Sequence, residues 1–340
     1  MPIHEPVLNP AFNITRASHI VLTVKDLDLS RDFYREVLGF HETVRDLDTV
    51  YLRGMEEGCH HSVVLRKADG APRCDRIGMR MLTNEDLVRA FDFFSAEGIE
   101  VAWVERPYQG QTLHVTDPVG TQLEFCASMP VEPRQNHSYH LYRGGAAQRF
   151  DHYQIVCYDV QKAYDFYTKI GFRLTEYVCP GDADDRVWGV WLHRKGNPHD
   201  IVFTNGKGPR MHHFGMTVRG GDDLIRAADV AGSLGFGATV ERGPGRHGMG
   251  GGALFLYFRD PDGHRIELFN AHYQTIDLEP PIRWTLRDPK RTDVWGMPAL
   301  ERWFFEATCF TGQEPQLPSI NISPRTLEAL IAEGVFRARF

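Results

Sequence analysis

Residues 19–34 read HIVLTVKDLDLSRDFY, and residues 152–167 read HYQIVCYDVQKAYDFY. Without a gap, His19 aligns with His152, Asp26 with Asp159, and Asp32-Phe33-Tyr34 with Asp165-Phe166-Tyr167. Both stretches run on into a matching end, Leu38-Gly39-Phe40 and Ile170-Gly171-Phe172. A second pair follows later in the chain, DPVGTQLEF at 117–125 and DPDGHRIEL at 260–268. Asp-Pro-x-Gly is a turn signal, and the alternation after it is that of a strand. Two matches in the same order mark a duplicated chain.

Each half divides again. An alternating strand, a segment with helical period, a glycine and further strands recur in every quarter. The helical segments are expected near 27–38, 85–97, 159–170 and 222–234, each stopped by a glycine: Gly39, Gly98, Gly171 and Gly235. The expected fold is therefore α+β, four βαβββ modules paired into two barrel-like domains. The boundaries read as 15–130 for the first domain, 131–147 for a linker, 148–275 for the second domain and 276–340 for a C-terminal extension. The Pro-rich stretch 279–298 is expected to cover the second half, and Thr326–Phe336 has an amphipathic pattern that would suit a lid.

Composition narrows the function classes. With 38 Lys plus Arg against 45 Asp plus Glu, the 340-residue chain has a net charge of −7, so the basic surplus of a nucleic-acid binder is missing. No apolar run is long enough to span a membrane, and the start of the chain shows no secretory pattern. Six cysteines fall singly, as reduced thiols do. The expectation is a cytoplasmic enzyme. Sixteen histidines direct attention to metal or proton chemistry.

The halves differ where chemistry could occur. Superimposing the quarters places His152, His213 and Glu267 at three equivalent positions of the second half, and His19, Arg76 and Glu124 in the first. Two imidazoles and a carboxylate form the facial triad of a non-haem Fe(II) site, with open positions for ligands. Arginine does not give up its proton and cannot ligate a metal, so the first half reads as a vestigial copy. His212 is an alternative to His213. Strand parity favours His213, because it stands in the same phase before Phe-Gly-Met-Thr-Val as His152 does before Tyr-Gln-Ile-Val-Cys.

Six segments in order, YLRGMEEGCHHSVVLR (51–66), WLHRKGNPHD (191–200), GPRMHH (208–213), ERGPGRHG (241–248), DPDGHRIE (260–267) and DVWGMP (293–298), resemble the type I extradiol ring-cleaving dioxygenases of the vicinal oxygen chelate superfamily. Within these, the segments are most similar to homoprotocatechuate 2,3-dioxygenases. The resemblance implies Fe(II), with Mn(II) as the alternative, held by His152, His213 and Glu267, with O₂ as co-substrate. It implies an aromatic diol cleaved to a muconic semialdehyde, and a homotetramer. It also implies that Tyr257 and His247 attend the chelating oxygen, and that His199 orients O₂ and donates a proton. A loop histidine facing solvent, or an ordinary strand tyrosine, remains the plain alternative for these three. Trp191 reads as a pocket wall or as core packing.

Substrate choice rests on Arg242 and Arg291, which match cationic positions that meet the substrate acid in the family. Bidentate pairing with a carboxylate would explain them. The chain departs from the family at two places: Thr292 in Lys290-Arg291-Thr292-Asp293 replaces a second arginine, and Gln154 stands where asparagine is usual. A catechol with less charge, or a different substitution pattern, is therefore also consistent. Two other functions share the scaffold: a non-redox lyase, isomerase or glyoxalase-like enzyme, and a module that only sequesters a ligand.

Overall fold

The computed structural model describes residues 3–288 and 291–334. Its first half contains β1 (Ile14–Val24), α1 (Leu27–Asp32), β2 (His41–Arg45), β3 (Thr49–Arg53) and β4 (Val63–Lys67), then β5 (Cys74–Met81), α2 (Asn84–Ala96), β6 (Val101–Val104), β7 (Thr112–Thr116) and β8 (Gln122–Cys126). The second half repeats the order with β9 (Arg149–Cys157), α3 (Val160–Lys169), β10 (Arg173–Cys179), β11 (Gly189–His193) and β12 (Ile201–Asn205), then β13 (Arg210–Thr217), α4 (Gly221–Ser233), β14 (Val240–His247), β15 (Leu254–Arg259) and β16 (Arg265–Asn270). The four βαβββ units expected from the repeats are all present.

The first sheet runs β2-β3-β4-β1-β5-β8-β7-β6, and the second has the same path, β10-β11-β12-β9-β13-β16-β15-β14. Two modules join in each through the antiparallel pairing of their first strands, β1 with β5 and β9 with β13. The extension adds β17 (Ile282–Thr285) and β18 (Asp293–Trp295) at the outer edges of the second sheet, and β19 (Thr308–Cys309) against β13.

Local chemistry places the helices. The Asp26 and Asp159 side chains accept from Leu29 N and Lys162 N at the helix starts, and Thr83 with Asp86 forms a capping box. All four stop glycines adopt positive φ, and a Cβ on Gly39 would lie 2.2 Å from the Arg143 carbonyl oxygen. The first helix departs from expectation, since 27–38 is split and Phe33–Leu38 forms a π-helical segment. Four of its six side chains, Phe33, Tyr34, Val37 and Leu38, are buried there, and the wider turn accommodates them.

The repeated motifs meet across the two halves. Tyr34 donates to Asp260 Oδ2 and Tyr167 to Asp117 Oδ2, each at 3.1 Å. The tyrosine of one half's Asp-Phe-Tyr thus bonds the aspartate of the other half's Asp-Pro-x-Gly turn. Each aspartate also accepts two backbone amides of its own turn, Val119 and Thr121 for Asp117, Asp262 and His264 for Asp260. Tyr153 donates towards the His19 and Gly78 carbonyls of the first half. One apolar core runs through both halves, with Phe33 against Phe236 and Phe94 against Phe166.

Candidate metal centre and catalytic cavity

Neighbouring strands of the second sheet set three side chains on one face. His152 on β9 faces Gly215 on β13, and Gly215 faces Glu267 on β16; His213 stands two residues before Gly215, opposite Gln154. Even spacing along a strand keeps side chains on the same side. Gly215 makes the convergence possible, because a Cβ there would lie 2.2 Å from the His152 ring. His152 Nε2 is 3.1 Å and His213 Nε2 3.4 Å from Glu267 Oε2, and the three groups' donor atoms lie within 4.8 Å of one another.

The outer bonds show which nitrogen each ring offers. His152 Nδ1 donates to Asp151 Oδ2 at 2.9 Å, which turns Nε2 towards Glu267. His212 Nε2 lies 2.9 Å from the Trp303 carbonyl, an acceptor only, so that nitrogen carries the proton. Burial holds the His212 pKa well below the usual value, so the ring is neutral and its Nδ1 is an acceptor. At 2.8 Å that Nδ1 receives the His213 Nδ1 proton, and His213 Nε2 is left with a lone pair that could bind a metal. His212 therefore fixes the ring of its neighbour.

Charge states suit a cation. Burial lowers the His213 pKa to about 4, against the pull of Glu267. Burial acts to raise the Glu267 pKa, yet bonds from His152, His213 and His247 hold it well below the usual range. A neutral imidazole and an ionised carboxylate are the forms that bind metal. Against the effect of burial, Asp151 and Glu267 raise the His152 pKa, so a cation would displace that ring's Nε2 proton, and the donor set fits the implied ion.

A cavity of about 390 Å³ opens over this cluster. His199 is buried in its wall, with its ring 4.3 Å from that of His152 and Nδ1 without a hydrogen-bond partner. Burial holds its pKa well below the usual value. His247 ends β14, stacks on Phe255 at 3.9 Å and donates from Nδ1 to the Thr292 carbonyl. Its Nε2 lies 2.9 Å from the Tyr257 hydroxyl and 3.2 Å from Glu267 Oε1. Burial opposes charge on His247, but Asp293 and Glu267 push its pKa up to about 9. Tyr257 faces Glu267 across β15 and β16. Trp191 lines the cavity and also packs on the Trp188–Met249 cluster, and Gln154 lines it with its amide bonded to Thr204.

The two arginines differ. Arg242 is buried, ion-paired to Asp293, and lies over the rings of Phe255 and Trp303 at 4.9 and 4.8 Å. Arg291 is 7% exposed, has no ion pair among the described residues, and lies 6.0 Å from the Trp188 ring. Its Nε has no hydrogen-bond partner, and burial brings its pKa down to about 10. Lys290 lies outside the described residues.

Other features were not read from the sequence. His272 packs 4.8 Å from His199 and on Phe269, and with His152 and His199 it makes a second cluster of close donor atoms. A single histidine beyond the last matched motif carried no signal. The covering segments also differ from expectation. Trp303 is buried against His212 and Tyr257, whereas Phe305 is exposed. Residues 303–305 and 317–324 line the cavity, anchored where Trp188 donates to the Ile322 carbonyl and Asn205 to the Ile320 carbonyl. The helix Leu327–Ala332 within Thr326–Phe336 is not among the lining residues, and the end of that stretch lies outside the described residues.

Residues 16–125 and 149–268 each match the Glyoxalase/Bleomycin resistance protein/Dioxygenase superfamily. A manganese-dependent 2,3-dihydroxybiphenyl 1,2-dioxygenase of Geobacillus genomosp. 3 is 30% identical, over 85% of this chain and 95% of its own. The chain belongs to the extradiol dioxygenases. Two homoprotocatechuate 2,3-dioxygenase structures are close in shape as well. That from Arthrobacter globiformis is 35% identical over 92% of this chain and 97% of its own, with a TM-score of 0.86. That from Brevibacterium fuscum, in anaerobic complex with 3,4-dihydroxyphenylacetate, is 34% identical over 92% and 98%, with a TM-score of 0.85. The extradiol dioxygenase described here is thus a metal-dependent enzyme of two glyoxalase-type domains that uses Fe(II) or Mn(II) and O₂ on a catechol. Among the described residues no helix is long and apolar enough to cross a membrane.

Proposed function

We propose that the substrate is a catechol carrying one anionic side chain, of the 3,4-dihydroxyphenylacetate type, and that Arg291 receives the acid. The observation that carries this is the buried Arg291 guanidinium in the wall of the metal-side cavity, which among the described residues has no ion pair and no partner for its Nε. An uncompensated buried cation is costly, and a ligand carboxylate would remove the cost. Arg242 is already matched by Asp293, and Thr292 adds no second cation, so one negative charge is what the cavity can balance.

In this reading His152, His213 and Glu267 hold the metal, which would lower the phenol pKa and bring diol and O₂ together. Tyr257 and His247, linked to each other at 2.9 Å, bond the catechol oxygen next to Glu267. His199 presents its free ring nitrogen to the opposite side, where it orients O₂ and carries a proton to the opening ring. Trp191 walls the ring and Gln154 borders it. The proposal takes 15–130 as a vestigial domain, 131–147 as a linker, 148–275 as the catalytic domain and 276–340 as an extension whose 317–324 strap acts as the lid. The family resemblance supports a cytoplasmic homotetramer.

The test compares two substrates after anaerobic loading with Fe(II) or Mn(II), following O₂ uptake and the yellow product. Arg291→Leu should lower kcat/KM for 3,4-dihydroxyphenylacetate about 10- to 100-fold, chiefly through KM, and leave 4-methylcatechol almost unchanged. Equal losses on both substrates would remove the role given to Arg291. Faster turnover of the uncharged catechol by the unmodified enzyme would move the substrate away from the acid.

A further inference from the structure

The first half keeps its own version of the catalytic cavity. Gly78 faces His19 as Gly215 faces His152, and Arg76 faces Val21 as His213 faces Gln154. His114 faces Glu124 as Tyr257 faces Glu267, and His61 precedes β4 by the two residues that separate His199 from β12. The cavity here is about 230 Å³ and is lined by Val21, Tyr51, His61, Val64, Arg76 and Glu124, among others.

Its polar groups are not those of a metal site. Glu124 is already saturated by His19 at 2.8 Å, His114 at 2.7 Å, Gln109 at 2.8 Å and Arg106 at 3.0 Å. Two other groups are left over. Arg76, half-buried, donates once to the Leu123 carbonyl and has no ion pair among the described residues. His61 is fully buried, bonds His60 through Nδ1, and has no partner for Nε2. Tyr51, Val21 and Val64 supply an apolar wall between them. Arg66 and Arg106, the other cations lining the cavity, are held by Asp75 and Glu124.

We propose that this cavity is a second ligand site, which takes a small planar organic monocarboxylate. The carboxylate pairs with Arg76, and a ring lies on Tyr51 and Val21 beside the buried His61 ring. A guanidinium with unused donors suits a carboxylate, and the apolar wall selects a ring over a hydrated inorganic ion. The substrate acid assigned above, with its ring intact, is one source of this chemistry, whereas the ring-opened product has lost the ring and gained a second carboxylate. The cavity and Arg76 stand apart from the substrate assigned above, but the choice of ligand source and the use of Arg291→Leu rest on it.

The experiment is calorimetric titration of the metal-loaded enzyme with benzoate, which cannot chelate through two hydroxyls. Arg291→Leu removes the acid partner in the catalytic cavity, so the benzoate still bound by that variant reports the first half. One equivalent per chain is expected there, weakened at least about tenfold when Arg76→Leu is added. Val21→Phe, which fills the cavity and leaves every charge in place, should abolish it too and keeps the test intact if Arg76→Leu fails to fold. Catechol turnover in Arg76→Leu should match the unmodified enzyme. A separate titration with 3,4-dihydroxyphenylacetate tests the substrate acid as that source, and tighter binding of the ring-opened dicarboxylate would overturn the preference for a ring. The proposal is overturned if Arg291→Leu binds no benzoate, if neither first-half substitution weakens it, or if inorganic phosphate displaces benzoate at equal concentration.

Discussion

Glu124 and Glu267 stand at the same place in the two halves, both buried and both held ionised by hydrogen bonds against the effect of burial. Their partners separate them. Glu267 is met by three imidazoles, His152, His213 and His247. Glu124 is met by two imidazoles, an amide and the Arg106 guanidinium, with Arg76 at the position of His213. An imidazole can release its proton and offer a lone pair, whereas a guanidinium cannot. Two copies of one fold therefore reach opposite ends: one carboxylate is open to a cation that displaces protons, and the other is closed by fixed charge. The metal site depends on displaceable partners more than on architecture.

The largest separation between the halves is expected from removing each carboxylate's charge. Glu267→Gln should reduce bound metal and turnover to background. Glu124→Gln should retain both, while lowering stability by on the order of 3 kcal/mol through a broken buried network. Metal analysis and urea unfolding read the two effects, and loss of metal from Glu124→Gln would contradict the division of labour.

A gentler probe is the glycine under each histidine. A Cβ would lie 2.1 Å from the His19 ring on Gly78 and 2.2 Å from the His152 ring on Gly215. Both alanine variants should lose about 1–3 kcal/mol from overpacking. Only Gly215→Ala should also weaken metal binding, by displacing His152, and equal metal affinity in the two variants would show that the His152 position is not critical.

The smallest effect concerns the bridges between halves. Burial pushes the Asp117 carboxyl up to about 6, and it raises Asp260 in the matching bridge. A carboxyl raised on folding binds more protons in the folded state. Its contribution is complete below the unfolded value near 3.8 and is lost as pH rises through about 6. Asp117→Asn should flatten the fall in stability over that window, by at most about 3 kcal/mol. An unchanged slope between pH 4 and 6 in thermal unfolding would place the titration elsewhere.

The repeat signals were legible because a duplication preserves register: one alignment placed the strands, the helix stops, the three ligand positions and Arg76. The Asp-Phe-Tyr and Asp-Pro-x-Gly motifs were visible as matches, but not as partners, since each bonds its counterpart in the other half. Arg242 and Arg291 looked equivalent in the chain, and only Asp293 folding back onto β14 distinguishes them.

The α+β duplication could be read from the linear chain, as could a candidate set of two histidines and a glutamate in the second half and an arginine at one of those positions in the first. These follow from period, spacing and residue chemistry, all properties of the linear chain. Tertiary structure alone decided which nitrogen of His213 is free, that Trp303 closes the relay through His212, that His272 joins His199, and which arginine remains unpaired. Each is a contact between residues distant along the chain, and a buried charge or lone pair takes its meaning from its neighbours in space.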